Sequence, residues 1–321
     1  MRYIIIIALL ALLSSCDNTF DVISEPRDIP VVYGILAASD TAHYIRVERA
    51  FVDENVSAFD LAQDPSLLYY GEEVTVSISG PNGSVVFDRI DATQDGFPRQ
   101  AGAFAQTPNI LYKASKEDLN LIEGEEYQLQ IDRQIDTLPL ITGTTTIVGE
   151  SSIRTPSSLL NFDNASFTAF SWREGEASSI FDLYLDFRYR ERTIGSGEPF
   201  QPRVVRWQIA QDIEGTRLDI QGIQFYSFLA GAIPQDDNVE RVFETIDLVL
   251  DSGSEEIRDF IRISEANLGI TSSQDVPTFT NLSEGRGIFA SLYREVRENV
   301  VLTNKTLDSL RTGSILSLIH I

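Results

Sequence analysis

The sequence predicts a mainly β fold. An N-terminal β-sandwich is expected over residues 30–150, followed by a mostly β second domain over 151–321 with one or two helices. Two observations carry this. From Pro30 onward, runs rich in β-branched and aromatic residues alternate with a period of two, the pattern of half-buried strands. Longer helical spacing shows in only two segments, 222–234 and 254–269. A chain of 321 residues is long enough for two ordinary domains.

The elements follow in order. "VVYGIL" (31–36) and "HYIRVERAFV" (43–52) read as strands joined by a turn at Asp40-Thr41-Ala42. Residues 58–63 suit a short helix before the Asp64-Pro65 break. Next, Val74, Val76 and Ile78 alternate with Thr75, Ser77 and Ser79. Gly80-Pro81-Asn82-Gly83 makes the turn, and residues 84–90 are expected to return as one strand. In "LNLIEGEEYQLQI" (119–131), Leu119, Gly124 and Tyr127 resemble the corner before a late strand of immunoglobulin-like and fibronectin type III sandwiches. There a Tyr hydroxyl bonds back across the corner. Tyr127, Leu129 and Ile131 are expected to face the core, and residues 142–148 to close the sandwich.

Residues 151–160 read as a linker. In the second domain, Phe181, Leu183, Leu185, Phe187 and Tyr189 occupy one face of a strand, with Asp182, Asp186, Arg188 and Arg190 on the other. Residues 203–210 and 241–250 are further strands. In 254–269, Ile257, Phe260, Ile261 and Ile263 include the i, i+3, i+4 spacing. Ser254 stands near the start and Gly269 where the helix would end.

Residues 1–15, "MRYIIIIALLALLSS", have the layout of an export signal: a basic start, an apolar run and two small residues. The run is too short for the ~20 residues of a membrane span. Leu13-Ser14-Ser15-Cys16 resembles the bacterial lipobox, which is cut before its Cys. Cys16, the single cysteine, is therefore expected to be the acylated first residue of the mature chain, with 16–29 as its tether. Several acyl chains, at about 0.8 kcal/mol per buried CH₂, hold a protein stably on a bilayer. Asp17 and Asp21 fit an outer-membrane sorting label. The expected location is the outer membrane, lipid-anchored, on its periplasmic or cell-surface face.

The charge of −23 opposes a nucleic-acid partner. With one Cys and two His, no Cys/His zinc centre can be built, and no metal or cofactor is expected. The carboxylate clusters Asp53-Glu54, Asp236-Asp237 and Asp251 with Glu255-Glu256 lack EF-hand spacing and read as solvated loops rather than Ca²⁺ sites. His43 has no catalytic partners placed by the sequence and reads as structural or surface. "GRG" (285–287) lacks the context of a phosphate loop, so its glycines are expected at a bulge or a close backbone approach. Sugar-stacking candidates are Tyr69, Tyr70 and Trp172. Trp207 reads as core, and Tyr226 stacks only if exposed. The sequons at Asn164 and Asn281 carry little weight in a bacterial lipoprotein. "LSLIHI" (316–321) back-translates to the end of a library-preparation transposon adapter, so these six residues, including His320, are expected to be foreign.

The mature chain resembles Bacteroidota lipoproteins of the domain-of-unknown-function family 4249. The resemblance lies in residues 28–52, in 62–78 and above all in "PTFTNLSEGRGIFASLY" (277–293), where Asn281, Gly285, Gly287, Ile288 and Phe289 match a closing segment of the family. It implies no catalytic residues. It implies an envelope protein encoded near TonB-dependent receptors. The function expected is non-catalytic binding of an envelope partner, such as an outer-membrane receptor protein. Capture of a glycan or peptide ligand is the alternative, and a carboxylate-based hydrolase the third reading.

Overall fold

A computed structural model describes residues 28–50, 56–135, 137–163, 165–236, 238–266 and 278–312 of the chain. The expectations for residues 1–27, for Asp53-Glu54, for Gly269 and for 316–321 lie outside the described residues. The chain is mostly β.

The first half runs β1 (Pro30–Leu36), β2 (Ala42–Arg49), two short helices α1 (Ala58–Ala62) and α2 (Pro65–Leu68), β3 (Thr75–Gly80), β4 (Gly83–Val86), β5 (Asp88–Asp91), β6 (Ile110–Ser115), β7 (Glu126–Asp132) and β8 (Ile141–Thr146). Strands β1-β2-β6-β5 lie in one sheet and β4-β3-β7-β8 in the other. This is the strand order of an immunoglobulin-like sandwich. Val32, Ile45, Val47, Val76, Ile78, Leu129 and Ile131 fill the space between the sheets, each at most 1% exposed. The predicted corner is present: the Tyr127 hydroxyl accepts from Ile122 N at 3.0 Å and donates to Asn120 O at 3.3 Å. The 84–90 return is not one strand. It breaks at Phe87, whose side chain is buried in the core between the sheets; β4 pairs with β3 and β5 crosses to β6.

The second half holds β9 (Ser152–Thr155), β10 (Leu159–Leu160), β11 (Phe167–Arg173), β12 (Ile180–Thr193), β13 (Gln201–Ile213), β14 (Arg217–Gln221), α3 (Gly222–Ala232), β15 (Val239–Gly253), α4 (Glu255–Ala266), β16 (Arg286–Leu302) and α5 (Asn304–Thr312). The predicted inward row of β12 is correct: Phe181, Leu183, Leu185, Phe187 and Tyr189 are all buried. They pack on Phe225 and Leu229 of α3 and on Phe170 and Trp172 of β11. Each large apolar side chain so buried contributes about 1.5–3 kcal/mol.

The expected boundary near residue 150 separates the two cores but not the sheet. The N-terminal core includes Leu282 and Phe289 from the far end of the chain. β16 pairs in parallel with β1 through its first residues and antiparallel with β15 through the rest. One sheet therefore runs β13-β12-β15-β16-β1-β2-β6-β5 across both halves. The predicted linker 151–160 is likewise structured, as β9 and β10. Buried serines stitch the junction: Ser291 Oγ accepts from Val148 N and donates to Leu36 O, and Ser151 bonds Ser252.

Candidate functional surfaces

The predicted stacking residues are not available at the surface. Tyr69 and Tyr70 are each 6% exposed and Trp172 is 3% exposed. Tyr70 donates to Asp28 and lies under the Arg49 guanidinium, 5.1 Å from ring centroid to Cζ. Burial first, and the Asp28 carboxylate second, push its hydroxyl pKa well above the ordinary tyrosine value. Tyr69 packs with Leu68 and Ile110, Tyr70 in the N-terminal core and Trp172 against Phe181, contacts that the sequence does not reveal. Trp207 stacks on Phe228 at 5.5 Å, and Tyr226 donates to Phe162 O from the core. His43 is buried on the inward row of β2 with Ile45 and Val47, and burial lowers its pKa below 6.5.

The Asn281…Gly285-Arg286-Gly287-Ile288-Phe289 segment is structural. The Asn281 carboxamide donates to Thr144 O and Phe289 O and accepts from Phe289 N, which pins β16 against β8. Gly285 and Gly287 hold φ of 89° and 113°. A Cβ on Gly285 would sit 2.3 Å from Pro30 O. The close backbone approach predicted for these glycines is what the structure shows. Asn164 is not among the described residues.

Carboxylates of the second half face each other across β12 and β15: Asp182 opposite Asp251, and Asp186 opposite Asp247. Like charges directly opposed are unfavourable, and arginines offset them. Arg294 holds both oxygens of Asp251 at 2.6 Å, Arg206 both of Asp186 at 2.7 Å, and Arg188 bonds Asp247. Asp182 accepts from the Tyr184 hydroxyl and from Asp212 N. Burial, then Asp182, pushes the Tyr184 pKa up to about 12. Glu256 accepts from Thr145 and Ser254. Among the described residues no group of three His, Cys, Asp or Glu is arranged to hold a metal.

Two surfaces stand out as candidates among the described residues. The first is the outer face of the joined sheet. Tyr33, Ile35 and Tyr44 are 45%, 45% and 40% exposed there. Ile35 also lines a groove of about 230 Å³, whose other walls include Ile257 and Ile261 of α4 and Leu292 of β16, with Asp182 and Asp251 at its side.

The second is the loop pole of the sandwich. Strand register places Pro30, Arg49, Thr75, Asp91, Ile110 and Asp132 at one end of the two sheets. Exposed apolar residues gather in the loops there. Ile29 precedes β1, while Val56, Phe59 and Leu67 lie on the segment around α1 and α2. Phe97 and Phe104 lie between β5 and β6, and Ile135 and Leu140 between β7 and β8. Phe97, at 67%, is the most exposed of them. Among the described residues, the loops of the opposite pole offer Ile122, while Ile35 and Tyr44 near that end lie on the sheet face.

A buried polar frame sets these loops. Glu48 is 5% exposed and receives both Arg46 (3.0 Å) and Arg99 (2.7 Å). Arg46 also donates to Asn109, whose amide donates to Phe97 O. The Arg99 guanidinium lies 4.3 Å over the Phe104 ring. Gln63 donates to Ala103 O, and Ala105 N to Ala62 O, tying the β5–β6 loop to α1. The sequence signal for this pole is isolated aromatics set among Gly, Pro, Ala and Gln in "DGFPRQAGAFAQTP" (95–108), a stretch with no strand or helix period.

No protein-family model matches this chain, and no curated protein matches it. Among solved structures, the FN1-FN3 domains of chicken CNTN1 align at 10% identity with a TM-score of 0.16. The alignment covers 83% of this chain and 66% of that one, so this chain spans just under two thirds of its length. A likeness at that level carries no argument. The sandwich assignment rests on strand order and on the Tyr127 corner.

Proposed function

We propose that this chain is a non-catalytic outer-membrane lipoprotein that binds a protein partner in the cell envelope, such as a TonB-dependent transporter. The observation that carries the reading is the exposed cluster of Tyr33, Ile35 and Tyr44 on the outer face of the sheet, beside the groove under α4. Exposed aromatic and aliphatic side chains next to a concavity are the chemistry of interface anchors. The groove beside the cluster is walled by both halves, because β16 joins β1. The lipobox-like stretch ending at Cys16 and the resemblance to family 4249 support the envelope location.

The opposed aspartates favour binding over hydrolysis. Asp251, Asp186 and Asp247 are engaged by arginines, and Asp182 by a hydroxyl and an amide. A carboxylate pair for glycoside hydrolysis needs one acid free to protonate a leaving group. Glycan capture loses the aromatic platform proposed for it, since Tyr69, Tyr70 and Trp172 are buried.

A photo-crosslinking residue in place of Ile35, expressed in cells and activated in native membranes, tests the reading. The expected result is a specific adduct with an outer-membrane receptor protein. No adduct, together with retention of the purified chain on a glycan array, would replace it with ligand capture.

A further inference from the structure

The loop pole lies where the chain enters the fold, and its entry point is clamped. Asp28 accepts from the Tyr70 hydroxyl at 2.8 Å and from Arg133 at 2.7 Å, and Arg133 is 4% exposed. Twelve positions separate Asp28 from Cys16 in the sequence. At ~3.3–3.6 Å per residue, that length reaches at most about 43 Å. If Cys16 is held in a bilayer, the pole is the part of the fold into which its tether leads.

We infer that this pole is a lipid-contacting surface: Phe59, Leu67, Phe97, Phe104, Ile135 and Leu140 seat in the headgroup–acyl boundary of the leaflet that holds the acyl chains of Cys16. The inference rests on the lipoprotein reading. Its own support is the gathering of exposed apolar side chains at the pole of entry, with Ile122 at the other pole. The frame of Glu48, Arg99 and Asn109 holds the loops in place, so seating orders little that is not already ordered.

Charge decides what kind of surface is met. Asp60, Asp64, Glu72, Asp95 and Asp132 stand around the pole. Anionic headgroups are repelled by these groups, so apolar insertion is the attractive force and salt does not release it. The orientation follows. β16 runs away from the pole along β1 before it meets β15, so the sandwich stands between the bilayer and the second half.

The test uses the mature chain in phosphatidylcholine vesicles with brominated acyl chains. Phe97→Trp and Ile135→Trp each add one indole at the pole, and Ile122→Trp adds one at the opposite end. Trp172 and Trp207 are subtracted with the parent chain. Insertion to a depth of ~5–10 Å lowers the added emission at 97 and 135 by about half, at low and high salt alike, and leaves 122 unchanged. Equal quenching at all three positions, or quenching at none, overturns the inference. Quenching lost at high salt overturns the apolar mechanism. The mass of the mature N-terminus reports acylation separately. If Cys16 proves unmodified, its thiol is coupled to a maleimide lipid and the same measurement is made, so the anchor and the pole can fail independently.

Discussion

Gly287 lies opposite Val32 in parallel register, with the Val32 carbonyl oxygen 1.8 Å from where a Gly287 Cβ would stand. The φ of 113° at Gly287 is one that side chains resist as well. This contact fastens the last long strand to the first.

Gly287→Ala therefore meets backbone on one side and strain on the other, and nothing there can rotate away. The expected loss is roughly 3 kcal/mol, from strain and overpacking together. Because β16 serves both cores, urea unfolding followed by the fluorescence of Trp172 and Trp207 should report the loss although both indoles lie in the second half. An unchanged midpoint would show that the β1–β16 pairing is not the coupling between halves.

Glu48→Gln removes the charge that Arg46 and Arg99 share. Both arginines are partly exposed, so the cost is set below that of a fully buried pair, at about 2 kcal/mol. The loop carrying Phe97 and Phe104 loses its tie through Arg99. Hydrogen exchange should rise in residues 97–106 and stay unchanged in β12 and β15. Uniform exchange across the chain would refute the frame.

His43 gives a pH dependence of definite sign. Burial lowers its folded pKa below the ordinary 6.5, an effect partly opposed by Asp40, while the unfolded chain titrates at the ordinary value. In the window beneath 6.5 the unfolded state binds more protons, so stability falls as pH drops through that window. The neutral ring's contribution is complete above 6.5. Thermal unfolding of the parent and of His43→Gln, compared from pH 8 to pH 5, should show a steeper acid loss in the parent. Parallel curves would mean that the ring titrates alike folded and unfolded.

Much of the fold is legible in the sequence where the physics is local. The alternation of Phe181 through Tyr189 marks a strand with one buried face, whatever it packs against. Tyr127 announces its corner because the hydroxyl and the turn it bonds lie within eight residues. The break at Phe87 was not legible, since either sheet can accept such a strand. Nor was the strand nature of 152–155 and 159–160, whose partners stand at 171–173 and 301–302.

The candidate surfaces divide the same way. By itself the sequence determined a β chain with a lipobox-like Cys16, glycines suited to close approach and a sandwich corner, because each depends on residues near one another. Tertiary structure alone decided which aromatics face out. Tyr69, Tyr70 and Trp172 went inward, while Tyr33, Phe59 and Phe97 stayed outside. Exposure is a property of what covers a side chain, and those covering elements come from distant parts of the chain. Long-range pairing also made one sheet of two halves, since the partner of β1 lies more than two hundred residues further along.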